Sequence, residues 1–127
     1  MVSLSDIQIG SIVLNMIEGI PSYISGCTLW NMVDMEVFNA EQYTGNSIGI
    51  TAIAEMYQPA IISLTASSVL KMMEMQGADV SSISLGDFSI NKGANSSSSS
   101  TSQSMREDGL MKLDNIGAAF SYYKSNG

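Results

Sequence analysis

The sequence predicts a mainly α protein: a small helical bundle of three to four helices with a short β-hairpin and a tethered C-terminal helix. Apolar residues recur at steps of three and four in several stretches, as on the buried side of a helix. Between residues 80 and 91 the apolar period changes to two, which is typical of strands. Residues 94–104 are almost entirely Ser, Asn and Thr. That composition buries too little apolar surface to offset the entropy of ordering and is typical of a flexible arm.

The first helix is predicted from about Ser5 to Glu18, with Ser3 or Ser5 available as its N-terminal cap. Gly19 and Pro21 end it. Its apolar residues at helical spacing are Ile9, Val13, Met16, Ile17 and Ile20. Other apolar residues fall on its remaining faces, so we expect it to be covered both by its own core and by a neighbour: Ile7, Ile12 and Leu14.

The second helix is predicted from about Thr28 to Tyr43, and Gly45 and Asn46 close it. Its apolar stripe consists of Leu29, Val33, Val37 and Ala40. Trp30, Phe38 and Tyr43 are predicted to be core or interface anchors.

The third region, residues 48–76, is predicted to form one broken helix or two, because Pro59 lacks an amide hydrogen and clashes with the preceding turn. We prefer a break, with Pro59 in the first turn of a new helix. Gly77 can adopt the left-handed conformation that ends a helix. The buried stripe of this helix is expected to be Ile62, Ala66, Val69, Leu70 and Met73.

A short hairpin or bent strand pair is predicted at about residues 80–91. The apolar parity slips by one across Gly86 and Asp87, as it does at a two-residue turn or a bulge. The apolar residues on either side are Ile83, Leu85, Phe88 and Ile90. An isolated hairpin is only marginally stable, so it is expected to lie on the helices or to join another subunit. Asp87 is expected to accept backbone hydrogen bonds within the turn, since the residues after it do not fit a calcium loop.

The chain is predicted to comprise a helical domain at residues 1–93, a Ser-rich arm at 94–104 and a C-terminal helix at 105–127. Ser104 and Glu107 have capping-box spacing. The helix either folds back on its own domain or docks on a partner. Its apolar residues at helical steps and its terminal aromatic and cationic cluster are the candidate partner contacts: Leu110, Leu113, Ile116, Phe120, Tyr122, Tyr123 and Lys124.

The charge is distributed unevenly along the chain. The first seventy residues contain no Lys, Arg or His but carry six carboxylates: Asp6, Glu18, Asp34, Glu36, Glu41 and Glu55. This half therefore lacks the guanidinium and ammonium donors that hold phosphate or nucleic acid. Its acids are expected to face water or to line a surface that repels polyanions.

Composition argues against catalysis and for assembly. The chain has no His and a single Cys, so most residues that activate a nucleophile or bind a transition metal are missing. We expect no cofactor, no metal and no enzyme activity. Cys27 is expected to be a small packed residue and fits a reducing cytoplasm. Charged residues are 13% of the chain, about half the usual share, which suits a surface buried by neighbours.

No membrane association is expected. The longest apolar stretch, residues 60–73, is interrupted by polar residues and falls short of the roughly 18 apolar residues that a span requires. The N-terminus has no cation ahead of its apolar stretch and does not resemble a secretory signal.

Two segments carry a resemblance to a known family. They are residues 57–62, YQPAII, leading a long helix, and residues 80–90, VSSISLGDFSI. With the order of elements over most of the chain, they resemble the head-to-tail connector adaptors of tailed bacteriophages, in which a Ser-rich apolar alternation around Gly-Asp recurs.

The resemblance implies a ring, usually of twelve copies, below the portal protein and above a downstream neck or tail protein. Such a ring is assembled in the host cytoplasm, belongs to the neck of the virion and continues the channel for double-stranded DNA. The hairpin would lie near neighbouring subunits and residues 110–124 would dock on the portal. Candidates for an acidic channel lining are Asp34, Glu36 and Glu41, since like charge lets DNA slide.

Two other functions remain open. The first is a small regulatory or chaperone-like module whose tethered helix inserts in a partner groove. The second is a hydrolase with an acid pair. Asp34 and Glu36 are two residues apart and so point about 200° from each other on a helix, which does not bring their carboxylates together.

Overall fold

The structure is a computed structural model that describes residues 3–17, 20, 24, 26–77 and 101–126, with the side chains of the last helix as far as Ile116. It is mainly helical, as predicted. Four α-helices follow one another in the described chain: α1 (Asp6–Met16), α2 (Gly26–Thr44), α3 (Gln58–Met75) and α4 (Thr101–Asn126).

Helix α1 begins with the capping box that the sequence allows. The Ser5 hydroxyl accepts a hydrogen bond from the amide of Gln8, and the Gln8 side chain accepts one from the amide of Ser5. Ile9 and Val13 face the core. The helix ends at Met16, close to the predicted end.

The segment between α2 and α3 corrects one expectation. Residues 45–54 are not helical, and a single 3-10 turn, Glu55–Tyr57, precedes α3. Ile53 instead pairs with Leu4 in an isolated antiparallel bridge, through hydrogen bonds of 3.0 and 2.7 Å. The helical spacing of this segment was misleading. Its extended backbone forms hydrogen bonds with the first residues of the described chain, and these satisfy backbone amide and carbonyl groups as a helix would.

Helix α3 begins where Pro59 predicted, with proline in its first turn. Gly77 follows it with φ +90°, the left-handed conformation expected of a helix end. The predicted stripe faces inward, with Ile62 half-buried and the other four residues buried. Helix α3 is the centre of the bundle, since α1, α2 and α4 all pack against it.

Helix α4 lies on α3 and, to a lesser extent, on α2. It begins at Thr101, so residues 101–104 form its first turn rather than the end of an arm. Thr101, Ser102 and Ser104 are buried, and the Ser67 hydroxyl of α3 donates a hydrogen bond to the carbonyl oxygen of Ser102, which joins the start of the helix to α3. Of the two arrangements that the sequence left open, the structure has the helix folded back on its own domain.

The core consists of two adjoining clusters. The first includes Ile9, Val33, Val37, Ala40, Ile53, Tyr57, Ala60, Ile61, Leu64 and Leu113. The second includes Val13, Ile17, Ile24, Leu29, Ala66, Val69, Leu70, Met73 and Met105. Each cluster draws on α1, α2, α3 and α4, so all four helices depend on one another for burial.

Two predicted elements lie outside the described residues: the hairpin at residues 80–91 and residues 94–100 of the Ser-rich arm. Among the helices that the structure describes, none is long and apolar enough to cross a bilayer.

Candidate interaction site

As far as Ile116, the predicted partner-binding face of α4 packs on the protein itself. Leu113 is 1% exposed within the first core cluster, and Leu110 and Ile116 are half-buried against that cluster. Phe120, Tyr122, Tyr123 and Lys124 belong to the same helix, but their side chains are outside the described part. The contacts that the sequence assigned to a partner are therefore made, as far as Ile116, to α3 and its neighbours.

A glycine allows α4 to approach α3 closely. A Cβ atom at Gly109 would lie 2.8 Å from Cγ of Leu64 and 3.2 Å from the carbonyl oxygen of Ala60. Real Cβ atoms do not come this close to buried carbon, so a larger residue here would push the two helices apart.

Glu36 lies in the interior, contrary to the expectation that it lines a channel. It is 3% exposed and its Oε2 atom is 2.7 Å from Nη2 of Arg106. The Ser68 hydroxyl donates to the same oxygen. A buried carboxylate needs such partners because its desolvation is expensive. Glu36 thus joins α2, α3 and α4.

A second polar cluster reinforces the contact between α3 and α4. Nζ of Lys112 is 2.7 Å from Oδ2 of Asp108, and the Ser63 hydroxyl donates to this same oxygen over 2.9 Å. Nearer the start of α4, the Ser67 hydroxyl donates to the carbonyl oxygen of Ser102. Buried serines of α3 are therefore used as hydrogen-bond donors to α4.

An open groove lies at the end of the contact between α3 and α4, with a volume of about 540 Å³. Met75 is 76% exposed at its edge. Lys71 is also exposed and forms no ion pair within the described ranges. The groove combines thioether side chains with a cationic rim, and its lining includes Ser68, Lys71, Met72, Met75, Gln103 and Arg106.

The outer surface of α1 and α2, which we call the α1–α2 face, exposes large apolar side chains. Trp30 packs beside Gly10, where a Cβ atom would lie 3.2 Å from the indole Cδ1. Ile7 and Leu14 are three residues before and four after Gly10, on the same side of α1. Phe38 continues the surface on α2 and is 59% exposed. The exposed apolar members of this face are Ile7, Leu14, Trp30, Met35 and Phe38.

Asp34 sits within the α1–α2 face, beside Asp6 of α1. Burial, together with hydrogen bonding and like charge from the adjacent Asp6 carboxylate, raises the pKa of Asp34 to about 6. Its Oδ1 atom is buried and has no hydrogen-bond partner within the described structure. A carboxylate in this setting would be stabilised by an incoming cation.

Glu41 has a local structural role. Its Oε2 atom accepts hydrogen bonds from the amides of Gly49 and Ile48, at 3.0 and 2.7 Å. These bonds lower its pKa, that from Gly49 most, so Glu41 stays ionised and anchors the loop after α2. Of the three predicted channel residues, Asp34 and Glu41 are half-buried and only Glu36 is buried.

The remaining predictions concern Cys27, metal binding and the hairpin. Cys27 is exposed in the first turn of α2 rather than packed. Within the described residues, no group of three or more His, Cys, Asp or Glu side chains could hold a metal ion. The hairpin residues Ile83, Leu85, Gly86, Asp87, Phe88 and Ile90 lie outside this part of the chain.

Sequence reasoning missed the groove and the Glu36–Arg106 pair. The two residues of the pair are 70 positions apart, and no local pattern connects them. A usable signal did exist for the α1–α2 face, namely the apolar residues of α1 that fall outside its buried stripe. Comparison of the chain with protein-family models, with curated proteins and with solved structures finds no match.

Proposed function

We propose that this chain is a structural head-to-tail connector of a tailed phage. It would form a ring below the portal, extend the DNA channel and join the capsid to the tail. The proposal rests on the family resemblance of residues 57–62 and 80–90, and its mechanism is surface contact rather than turnover.

The observation that carries the proposal is the apolar α1–α2 face. Folding buries apolar side chains from all four helices, yet it leaves Ile7, Leu14, Trp30 and Phe38 between 38% and 59% exposed. A cluster of exposed aromatic and aliphatic side chains on a weakly charged surface favours a protein that is covered by other proteins.

The charge pattern supports a channel that DNA passes without binding. Helices α1 and α2 carry acids but no Lys or Arg, so they offer no cation to a phosphate. Glu41 remains the candidate for the lining, because Glu36 is neutralised by Arg106 and Asp34 lies within the α1–α2 face beside Asp6.

The contact with the portal is assigned to the last part of α4. Leu113 is buried in the core and cannot contact a partner. The helix extends further, from residue 117 to Asn126, beyond Ile116, the last residue described as packing on the core. Ten residues of helix are about 15 Å long, enough to present Phe120, Tyr122, Tyr123 and Lys124 to a partner.

The experiment is truncation after Ile116, with the portal protein encoded in the same genome as the binding partner. Attachment to the portal ring should be lost. The bundle should persist, because every described core residue is retained, and helical circular dichroism should fall only by the share of the missing turns. A double substitution, Tyr122→Ser with Tyr123→Ser, should weaken attachment without shortening the helix.

The matched control is Ser121→Ala, which changes the same helix without removing an aromatic ring and should attach normally. Undiminished attachment of both the truncated chain and the double variant would contradict the role of this segment. Failure of the intact chain to bind any portal would contradict the proposed function.

A further inference from the structure

Two surfaces on the bundle differ in chemistry and lie on different sides of it. The α1–α2 face is apolar and carries Asp34. The groove between α3 and α4 is lined by Met72 and Met75 and rimmed by Lys71. Helices α1 and α4 each pack on α2 and α3, and their backbones do not approach each other within the described chain, so each lies at its own side of the bundle.

The two surfaces match in spacing. Asp34 and Phe38 are four residues apart on α2, and Lys71 and Met75 are four residues apart on α3. Residues at this spacing are neighbours along one side of a helix. With α2 of one copy parallel to α3 of another, a contact between Asp34 and Lys71 brings Phe38 within reach of Met75.

Each of these contacts is chemically favourable. Lys71 supplies a cation to Asp34, a half-buried acid whose neighbour is the Asp6 carboxylate. A thioether against an aromatic ring is a favourable contact, and flexible Met side chains adapt to the surface that they cover. The groove has a volume of about 540 Å³, which is typical of pockets that bind small molecules. It is therefore large enough to accept the side chain of Phe38.

We propose that the α1–α2 face of one copy docks into the α3–α4 groove of the next copy, with Asp34 against Lys71 and Phe38 against Met75. This inference rests on the proposed ring and names the surfaces that build it. Because the two surfaces differ, the contact is heterologous: each copy uses one surface and offers the other, and the series ends only by closing into a ring.

A second copy fits this face better than a foreign partner does, because the chain itself carries the complementary groups. A copy cannot use the α1–α2 face twice, since that would set Asp34 and Asp6 against the same acids across the contact. Lys71, which is exposed and forms no ion pair among the residues that the structure describes, provides the cation opposite Asp34 and is flanked by Met72 and Met75.

Two variants test the contact. The face variant is Asp34→Asn with Phe38→Ser, and the groove variant is Lys71→Glu with Met75→Ser. Phe38, Met75 and Lys71 are exposed, so both variants should fold. Circular dichroism checks that they do. Met56→Ser, at an exposed methionine outside both surfaces, is the control.

Sedimentation equilibrium gives the readout. The wild-type chain and the Met56→Ser control should associate as concentration rises, and each double variant alone should have its dissociation constant raised at least tenfold. A mixture of the two double variants should form a dimer that contains one of each, because one intact face and one intact groove remain. No larger species should form, since the other surfaces of that dimer are both altered.

Three results would overturn the inference. The first is a wild-type chain that stays monomeric up to about 1 mM, a concentration at which a contact worth only about −4 kcal/mol would be half formed. The second is variants that associate like the wild type, and the third is a mixture that stays monomeric. Portal binding separates this inference from the proposed function. Variants that bind the portal normally while any of these results holds would leave the connector function standing and remove only this contact.

Discussion

The ion pair between Glu36 and Arg106 should contribute far more to stability than a surface salt bridge. The perturbation is a double-mutant cycle of Arg106→Met, Glu36→Gln and both together. Removing one partner of a fully buried pair costs about 3–5 kcal/mol. The Arg106 side chain is 38% exposed, whereas that of Glu36 is 4% exposed, so water reaches the carboxylate once the guanidinium is gone. We therefore expect Arg106→Met to cost about 2–3 kcal/mol.

The coupling free energy between the two positions should be about 2 kcal/mol, because Gln at position 36 removes the charge that Arg106 neutralises. Urea unfolding followed by circular dichroism at several protein concentrations measures each corner of the cycle. Glu107→Gln is the control on the same helix: this acid is exposed and accepts a hydrogen bond from the exposed Gln103 side chain, and the substitution should change stability by no more than about 0.5 kcal/mol. A coupling below about 0.5 kcal/mol would refute the reasoning, since exposed pairs give such values.

Three further outcomes follow from the packing and charge of the bundle. Gly109→Ala should destabilise the protein by about 1–3 kcal/mol despite the better helix propensity of Ala, because the new methyl group meets Leu64 and the carbonyl of Ala60. Thermal unfolding measures this loss, with Asn115→Ala as the exposed control. An unchanged melting temperature would contradict close packing of α4. Asp34 should make the free energy of unfolding fall as pH rises from about 4 to 6, because its folded pKa is raised to about 6 from 3.8 and the folded state then holds the proton more tightly than the unfolded state does. The lowered pKa of Glu41 acts in the opposite direction, so the Asp34 contribution is measured as the difference between the wild type and Asp34→Asn. The variant should be more stable by about 1 kcal/mol at pH 7, a shift discounted for partial exposure, and a difference that does not change with pH would contradict the role of Asp34. Ser5→Ala should lower the free energy of unfolding by about 1 kcal/mol, because α1 loses its N-terminal cap. Urea unfolding measures this change, with Ser3→Ala as the control. Equal losses of stability in the two variants would contradict the capping box.

The helices could be predicted from the sequence because their signals are local. Ser5 caps α1, Pro59 marks the start of α3 and Gly77 follows its end, each for a reason that depends on a few neighbouring residues. The apolar stripes of α2 and α3 also predicted which faces would be buried, since burial follows the helical period.

The remaining features depend on contacts between distant parts of the chain. The apolar spacing of residues 48–54 suggested a helix, but the pairing of Ile53 with Leu4 is decided by where the chain start lies. An acid in a chain of few charges was expected at the surface, yet Glu36 is buried because Arg106 reaches it from α4. The close approach at Gly109 likewise depends on Leu64 of another helix.

Contact rather than catalysis is the central claim, and native mass spectrometry of the intact chain mixed with the portal ring of the same genome tests it. We predict a discrete complex that carries several copies of this chain per portal ring and is lost on truncation after Ile116. A portal ring that retains no copy under conditions in which the chain is folded would contradict the claim.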